Sequence, residues 1–168
     1  MEQFYPKLTA AVRRSRFLRL WTMRIYRMAP WFFVFSYLVT FLVLLASWNL
    51  KWIFFLIVPA VVFIAVSIMR ALINYPRPFQ KYHFDPILPH KKGQSFPSRH
   101  TASAVVIAMA CLYVSIPYGI IMLILSTLVA VTRVMVGIHY IRDILAAAVI
   151  AVGLGLLGFF IFSPLFGL

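Results

Sequence analysis

Three short groups of residues carry the chemistry that this sequence can support. The first is Arg70, six residues, then Arg77-Pro78; the second is Pro97-Ser98-Arg99-His100; the third is Thr132-Arg133, five residues, His139, three residues, then Asp143. Asp143 follows His139 by four positions, one helical turn, so its carboxylate can hold one imidazole nitrogen and leave the other as a nucleophile or a base. Ser98 stands where a helix N-cap belongs, behind Pro97 and ahead of an apolar run. The free backbone N–H groups of such a helix end favour a bound anion. Arg70, Arg77, Arg99 and Arg133 are permanently charged forks whose geometry suits phosphate oxygens. His100, two positions beyond Ser98, can reach the same anion as a proton donor. Four arginines, two histidines and one carboxylate describe a phosphoryl-transfer site that works without a metal. A two-metal hydrolase needs several oxygen ligands, usually carboxylates, and the chain has three acids in all, Glu2, Asp85 and Asp143. No metal and no cofactor are therefore expected.

In order and spacing the three groups resemble the signature of the type-2 phosphatidic acid phosphatases, the lipid phosphate phosphatases, which share an active-site plan with vanadium haloperoxidases and glucose-6-phosphatase. The family pattern is Lys, six residues, Arg-Pro; then Pro-Ser-Gly-His; then Ser-Arg, five residues, His, three residues, Asp. The match spans residues 70–143. The resemblance implies that His139 attacks phosphorus to form a phosphohistidine, that Asp143 orients it, and that His100 protonates the departing lipid oxygen. It also implies that Arg70, Arg77, Ser98 and Arg133, with the backbone N–H groups of 98–100, hold the phosphate. The substrate class implied is a lipid phosphomonoester or diphosphate, such as phosphatidic acid, phosphatidylglycerophosphate or a polyprenyl diphosphate. Three positions depart from the pattern. Arg70 stands for Lys and Thr132 for Ser, both mild changes. Arg99 stands for Gly, which either crowds the phosphate or adds a cation to it, and it joins the phosphate-binding candidates on the second ground.

The elements that must position these groups follow from composition. The chain has 168 residues, of which 64% are hydrophobic and 11% charged, with a mean hydropathy of +0.97, far from the roughly 25% charged residues of a soluble domain. Four uncharged runs can be compared with the roughly 20 apolar residues that a spanning helix needs. Residues 28–50 suffice, and 52–69 gain length from 71–73 beyond Arg70. The run 101–132 is too long for one span, and Ser115-Ile116-Pro117-Tyr118-Gly119 at its middle supplies turn chemistry. Residues 144–168 make the last span, with Gly153, Gly155 and Gly158 allowing close helix approach. The expectation is an all-α membrane bundle of about five spans, near 28–50, 52–73, 98–115, 118–137 and 143–165. One membrane-embedded phosphatase domain would cover 28–168. Cys111 lies inside an apolar run and reads as a buried filler.

Residues 1–27 cannot cross the bilayer, since Arg13, Arg14, Arg16, Arg19, Arg24 and Arg27 would each cost about 2.5–3.5 kcal/mol at its centre. Leu18, Trp21, Ile25 and Met28 recur at helical spacing and predict an amphipathic helix on the membrane surface. The formal net charge is +13, and beside apolar runs it points to anionic phospholipid as a partner rather than to nucleic acid. Basic residues cluster on the face shared by the three groups, with only Lys51 on the other. Charge counting places that face in the cytoplasm, whereas the resemblance favours the outer face of a bacterial plasma membrane. His83, His90, Lys91 and Lys92 fall in the 74–97 loop outside the groups and read as solvated or headgroup-facing, and Asp85 reads as a turn residue before Pro86. Two other classes use the same residues. A vanadate-dependent haloperoxidase is opposed by the membrane spans, and a catalytically idle lipid-binding protein is opposed by the complete set of His100, His139 and Asp143.

Overall fold

A computed structural model describes residues 3–167, so Glu2 lies outside the described residues. The elements in order are α1 (Phe4–Arg14), α2 (Arg16–Ala46), α3 (Trp52–Ile73), the single turn α4 (Pro78–Lys81), α5 (Arg99–Val114), α6 (Ile116–Met135) and α7 (Ile141–Gly155). The last helix continues as a wider π-type segment, Leu156–Phe162, and ends in Ser163–Leu165. By length and composition four stretches can cross a membrane: Arg16–Ala46, Trp52–Lys81, Ile116–Met135 and Ile141–Leu165.

Helix α5 is shorter. Its 16 residues rise about 24 Å, less than the ~30 Å hydrocarbon core, but it is the central helix and is packed on by α2, α3, α6 and α7. Small side chains make that possible: Ala102, Ala104, Ala108 and Ala110 are all buried along it, and they let the neighbouring backbones close in. The hairpin expected from Ser115 to Gly119 is present, α5 ending at Val114 and α6 starting at Ile116 with a proline in its first turn. Gly119 is required there, because a Cβ would sit 2.2 Å from Cα of Leu112. Phe55, Val62, Val66, Val106, Ala147 and Phe159 form the main core, while Leu42, Ile64, Ile124 and Val149 leave the bundle surface apolar, as a helix bundle immersed in lipid requires.

The N-terminal region divides at Ser15 rather than near residue 27. The Ser15 hydroxyl accepts from the Leu18 N–H at 3.3 Å, an N-cap that starts α2, and the helix then runs unbroken past Met28. Leu18, Trp21 and Ile25 thus belong to the first turns of a long helix that leads into the membrane. The separate helix is α1, which buries Tyr5, Thr9 and Val12. It is fastened to the 82–97 loop by Arg13, whose guanidinium donates to the Asp85 and Pro86 carbonyls at 2.9 Å each.

Prolines inside α2 and α3 have tertiary uses. A helical proline lacks the N–H that would bond the carbonyl four residues earlier. Pro59 frees the Phe55 carbonyl, which accepts from the Tyr37 hydroxyl at 3.0 Å and ties α3 to α2. Pro30 frees the Tyr26 carbonyl, which receives an arginine of the site described below.

Candidate active site

Each group sits where a helix meets the loops of one end of the bundle. Arg70 lies in the last turn of α3 and Arg77 just before α4; Ser98 and Arg99 start α5; Arg133 closes α6; Asp143 lies in the first turn of α7. His139 is in the short α6–α7 connection, whose reversal depends on Gly137 at φ +84°. A Cβ there would stand 2.7 Å from the Phe84 ring. Replacing Gly137 by Ala is expected to destabilise the protein by about 1–3 kcal/mol, through the strained φ and the clash. The check is thermal unfolding in detergent, and an unchanged midpoint would show that the connection tolerates a side chain.

Asp143 is fully buried, and its Oδ2 gathers three neighbours. His139 Nδ1 lies at 3.4 Å, the Tyr140 N–H donates at 3.0 Å, and the Ser95 hydroxyl donates in a short bond. Among the described residues its Oδ1 accepts no hydrogen bond, and it faces Arg142 Nε at 3.7 Å. The Asp143 backbone carbonyl accepts from the Ser98 N–H at 3.1 Å, joining the second group to the third. Ser98 is itself buried, and its hydroxyl accepts from Thr101 Oγ1 at 3.0 Å instead of capping its own helix. The first-turn N–H groups of α5 therefore keep their outward direction without a side-chain cap.

The arginines are braced by backbone carbonyls. Arg70 Nη1 donates to Pro97 at 2.9 Å; Arg77 donates from Nε to Gly93 at 3.0 Å and from Nη1 to Ile138 at 3.1 Å. A guanidinium has five N–H donors, so each keeps several for an anion. Gln80 Oε1 accepts from the N–H groups of Arg77 and Gly93 at 3.1 and 2.7 Å, and Asn74 Oδ1 accepts from Gln94 at 3.1 Å, which pins the loop to α3 and α4. Arg70, Arg77, Arg99, His100 and His139 line one cleft of about 580 Å³.

Arg133 stands apart. It is buried, its guanidinium lies 4.1 Å from the centre of the Tyr26 ring, and Nη2 donates at 3.5 Å to the carbonyl freed by Pro30. It does not line the cleft, and its Nε has no hydrogen-bond partner among the described residues. Arg99 is exposed, over the Phe63 ring at 5.4 Å.

Two features escaped sequence reasoning. Ser95 lies outside the three groups, and only the fold brings its hydroxyl to Asp143; its place three residues before Ser98 was the available signal. His90, expected with Lys91 and Lys92 to be solvated or at headgroups, is half-buried in the cleft wall, while Lys91 and Lys92 are exposed at its rim, because Gly93 and Gln94 are tied down at its edge. His90 Nδ1 meets the Tyr26 hydroxyl at 3.5 Å. Burial, with Arg77, Arg133 and Arg70 nearby, lowers its pKa to about 4. Burial also lowers His139 to about 4, aided by Arg77 and Arg70 and opposed by Asp143.

The profile of the PAP2 superfamily matches residues 50–165, which contain all three groups. The chain belongs to the PAP2 superfamily. A Bacillus subtilis (strain 168) relative, Undecaprenyl-diphosphatase BcrC, is 32% identical over 131 residues, 74% of this chain and 67% of the relative. The fold is shared with the crystal structure of Aquifex aeolicus LpxE, with a TM-score of 0.74 and 19% identity over 93% of this chain and 92% of that one. It is also shared with a transmembrane PAP2 type phosphatidylglycerolphosphate phosphatase from Bacillus subtilis, with a TM-score of 0.54 and 22% identity over 98% and 93%. This PAP2 chain is thus a multi-pass membrane phosphatase. Its departure at Arg99 lies at the cleft, where a family glycine would leave open space.

Proposed function

We propose that this PAP2 phosphatase hydrolyses a lipid diphosphate of the polyprenyl class through a phosphohistidine on His139, without a metal. The observation that carries the reading is the buried His139–Asp143 pair set against a cleft that also holds Arg70, Arg77 and His100. With Nδ1 turned to the carboxylate, Nε2 keeps the lone pair. It attacks the terminal phosphorus, the bond to the bridging oxygen breaks, and His100 delivers a proton to that oxygen as the lipid monophosphate departs. Water then attacks the phosphohistidine, His100 takes its proton, and inorganic phosphate leaves with His139 regenerated. Arg70 and Arg77 carry the equatorial charge, with Ser98 setting the adjacent helix end and Arg133 lending its field from behind. The diphosphate class rests on the printed activity of the relative 32% identical to this chain, and on Arg99, Lys91 and Lys92, cations enough for a second phosphoryl group. Among the described residues no three His, Cys, Asp or Glu side chains gather in the manner of a metal site. The exposed Arg14, Arg16 and Arg19 at the α1–α2 junction meet anionic headgroups of a bacterial plasma membrane, worth about 1 kcal/mol each near the surface.

The test is phosphate release by detergent-purified protein from a polyprenyl diphosphate, phosphatidic acid and phosphatidylglycerophosphate. The diphosphate is expected to be preferred, orthovanadate to compete as a mimic of the five-coordinate transition state, and chelators to leave the rate unchanged. A preference for either monoester would overturn the substrate class. Loss of activity in EDTA that magnesium restores would overturn the metal-free mechanism.

A smaller effect is expected at Ser95. Its hydroxyl holds Asp143 rather than substrate, so Ser95→Ala should lower kcat about 10- to 100-fold, following the loss of one hydrogen bond to a buried carboxylate, with KM little changed. Ser95→Thr should restore part of the rate. A change in KM alone would assign Ser95 to substrate binding instead.

A further inference from the structure

A second cavity, of about 330 Å³, opens between α2, α3, α5 and α6 on the membrane side of the cleft. Its walls are Pro30, Phe33 and Val34 of α2, Phe63 of α3, Ala104 and Ile107 of α5, and Val129 of α6, with Ser103 as the one neutral polar side chain. Arg99 and His100 line this cavity and the phosphate cleft alike. A space that is apolar on one side and cationic on the other, with a shared pair of residues at the seam, matches an amphiphile whose charge ends abruptly at a hydrocarbon chain.

We propose that this cavity is the binding site for the first isoprene units of the substrate's hydrocarbon chain, and that it measures only those units. The proposal deepens the reading given above and rests on it. His100 stands at the seam, where the leaving oxygen must lie. Arg99 stands beside it, where the phosphoryl group nearest the lipid carbon falls if the terminal phosphorus faces His139. Its guanidinium over the Phe63 ring borders the apolar space with a partly compensated charge. If each chain carbon fills about the ~30 Å³ that a water molecule occupies in the liquid, about 330 Å³ accommodates about eleven carbons, or two isoprene units. The rest of a long chain remains in the bilayer, which is as apolar as the cavity and adds no selectivity.

The experiment is a chain-length series of prenyl diphosphates with 5, 10, 15 and 20 carbons, run beside the corresponding monophosphates in one detergent. From burial of apolar surface, kcat/KM is expected to rise on the order of 10- to 100-fold between five and ten carbons and less than about twofold beyond fifteen. Two narrowing variants complete it. Val34→Trp uses a wall position that is 45% exposed and so has little bearing on the fold, and Ser103→Leu narrows the opposite wall. Each should flatten the rise. A rise in the monophosphate series together with inert diphosphates would overturn the diphosphate reading and leave the tail site supported. A flat series, a rise that continues past twenty carbons, or the parent's rise in both variants would overturn the tail site. A second readout needs no turnover: a ten-carbon prenyl diphosphate carrying a diazirine in its second isoprene unit should label the Phe63 or Ile107 peptide. Labelling there that excess prenyl diphosphate does not displace would mark an occupant from the bilayer and overturn the proposal.

Discussion

His139→Ala is expected to abolish turnover, with kcat reduced on the order of 10⁴- to 10⁶-fold, the scale seen when a covalent nucleophile is removed. No neighbour can substitute. His100 belongs to α5 and is assigned the leaving oxygen, and Asp143 is fully buried behind the ring. The radiolabelled phosphoenzyme, acid-labile as a phosphohistidine is, should disappear from this variant while the protein stays folded and monodisperse in detergent. Retained turnover together with the label would move the nucleophile elsewhere. The pH profile provides an independent check. His139 attacks as the neutral imidazole, and burial lowers its pKa from 6.5 to about 4. Its protonation therefore removes activity only as pH falls towards 4, not through 6.5. An acid limb near 6.5 in kcat/KM that vanishes with no other replacement than His139 would show the imidazole to be solvated in the free enzyme.

The second large effect is expected at Asp143. Asp143→Asn preserves size, but the single atom at the Oδ2 position faces His139, Tyr140 and Ser95 together, so an amide NH2 placed there donates to His139 Nδ1 and no longer accepts from the Tyr140 N–H. The imidazole then carries its proton on Nε2, and the lone pair needed for attack is lost. A wrong tautomer of this kind lowers kcat about 10⁴-fold in a triad enzyme, and a similar loss is expected here. KM should change little, because Asp143 does not line the cleft. Asp143→Ala should lose as much in rate and more in stability, since the Ser95 hydroxyl, the Tyr140 N–H and His139 all lose a buried partner. A kcat within tenfold of the parent for Asp143→Asn would show that the carboxylate is a fold-stabilising group rather than the orienting one.

How far residue order reaches into function is shown by the separate elements. His139 and Asp143 pair across four positions although His139 precedes α7, because Tyr140 caps that helix and Asp143 lies in its first turn, so neighbours in the chain suffice to set the geometry. The spans, the hairpin at Ser115 and the all-helical class follow from run length, turn chemistry and the need of every backbone group in lipid for an internal partner. These properties depend on neighbours in the chain, and the sequence determined them.

Tertiary structure decided the rest. Ser95 reaches Asp143 across 48 positions, and His90 turns into the cleft wall, with the exposed Lys91 and Lys92 at its rim, because Gln80 and Asn74 tie down a loop that has no periodic pattern to read. The split at Ser15 reflects a cap that outweighs amphipathic periodicity, and α1 buries Tyr5 against the Tyr82 and Tyr140 rings at a distance in sequence that no local signal spans. Arg133 matches the family spacing in sequence, yet its guanidinium is claimed by the Tyr26 ring and by a carbonyl that Pro30 leaves free. Likewise the apolar cavity exists only where four helices leave space beside Arg99 and His100. Each of these depends on which surfaces meet when the helices pack. Sequence therefore determined the reacting groups and their local pairing, and packing decided what holds them, what shields them and where a hydrocarbon chain can lie.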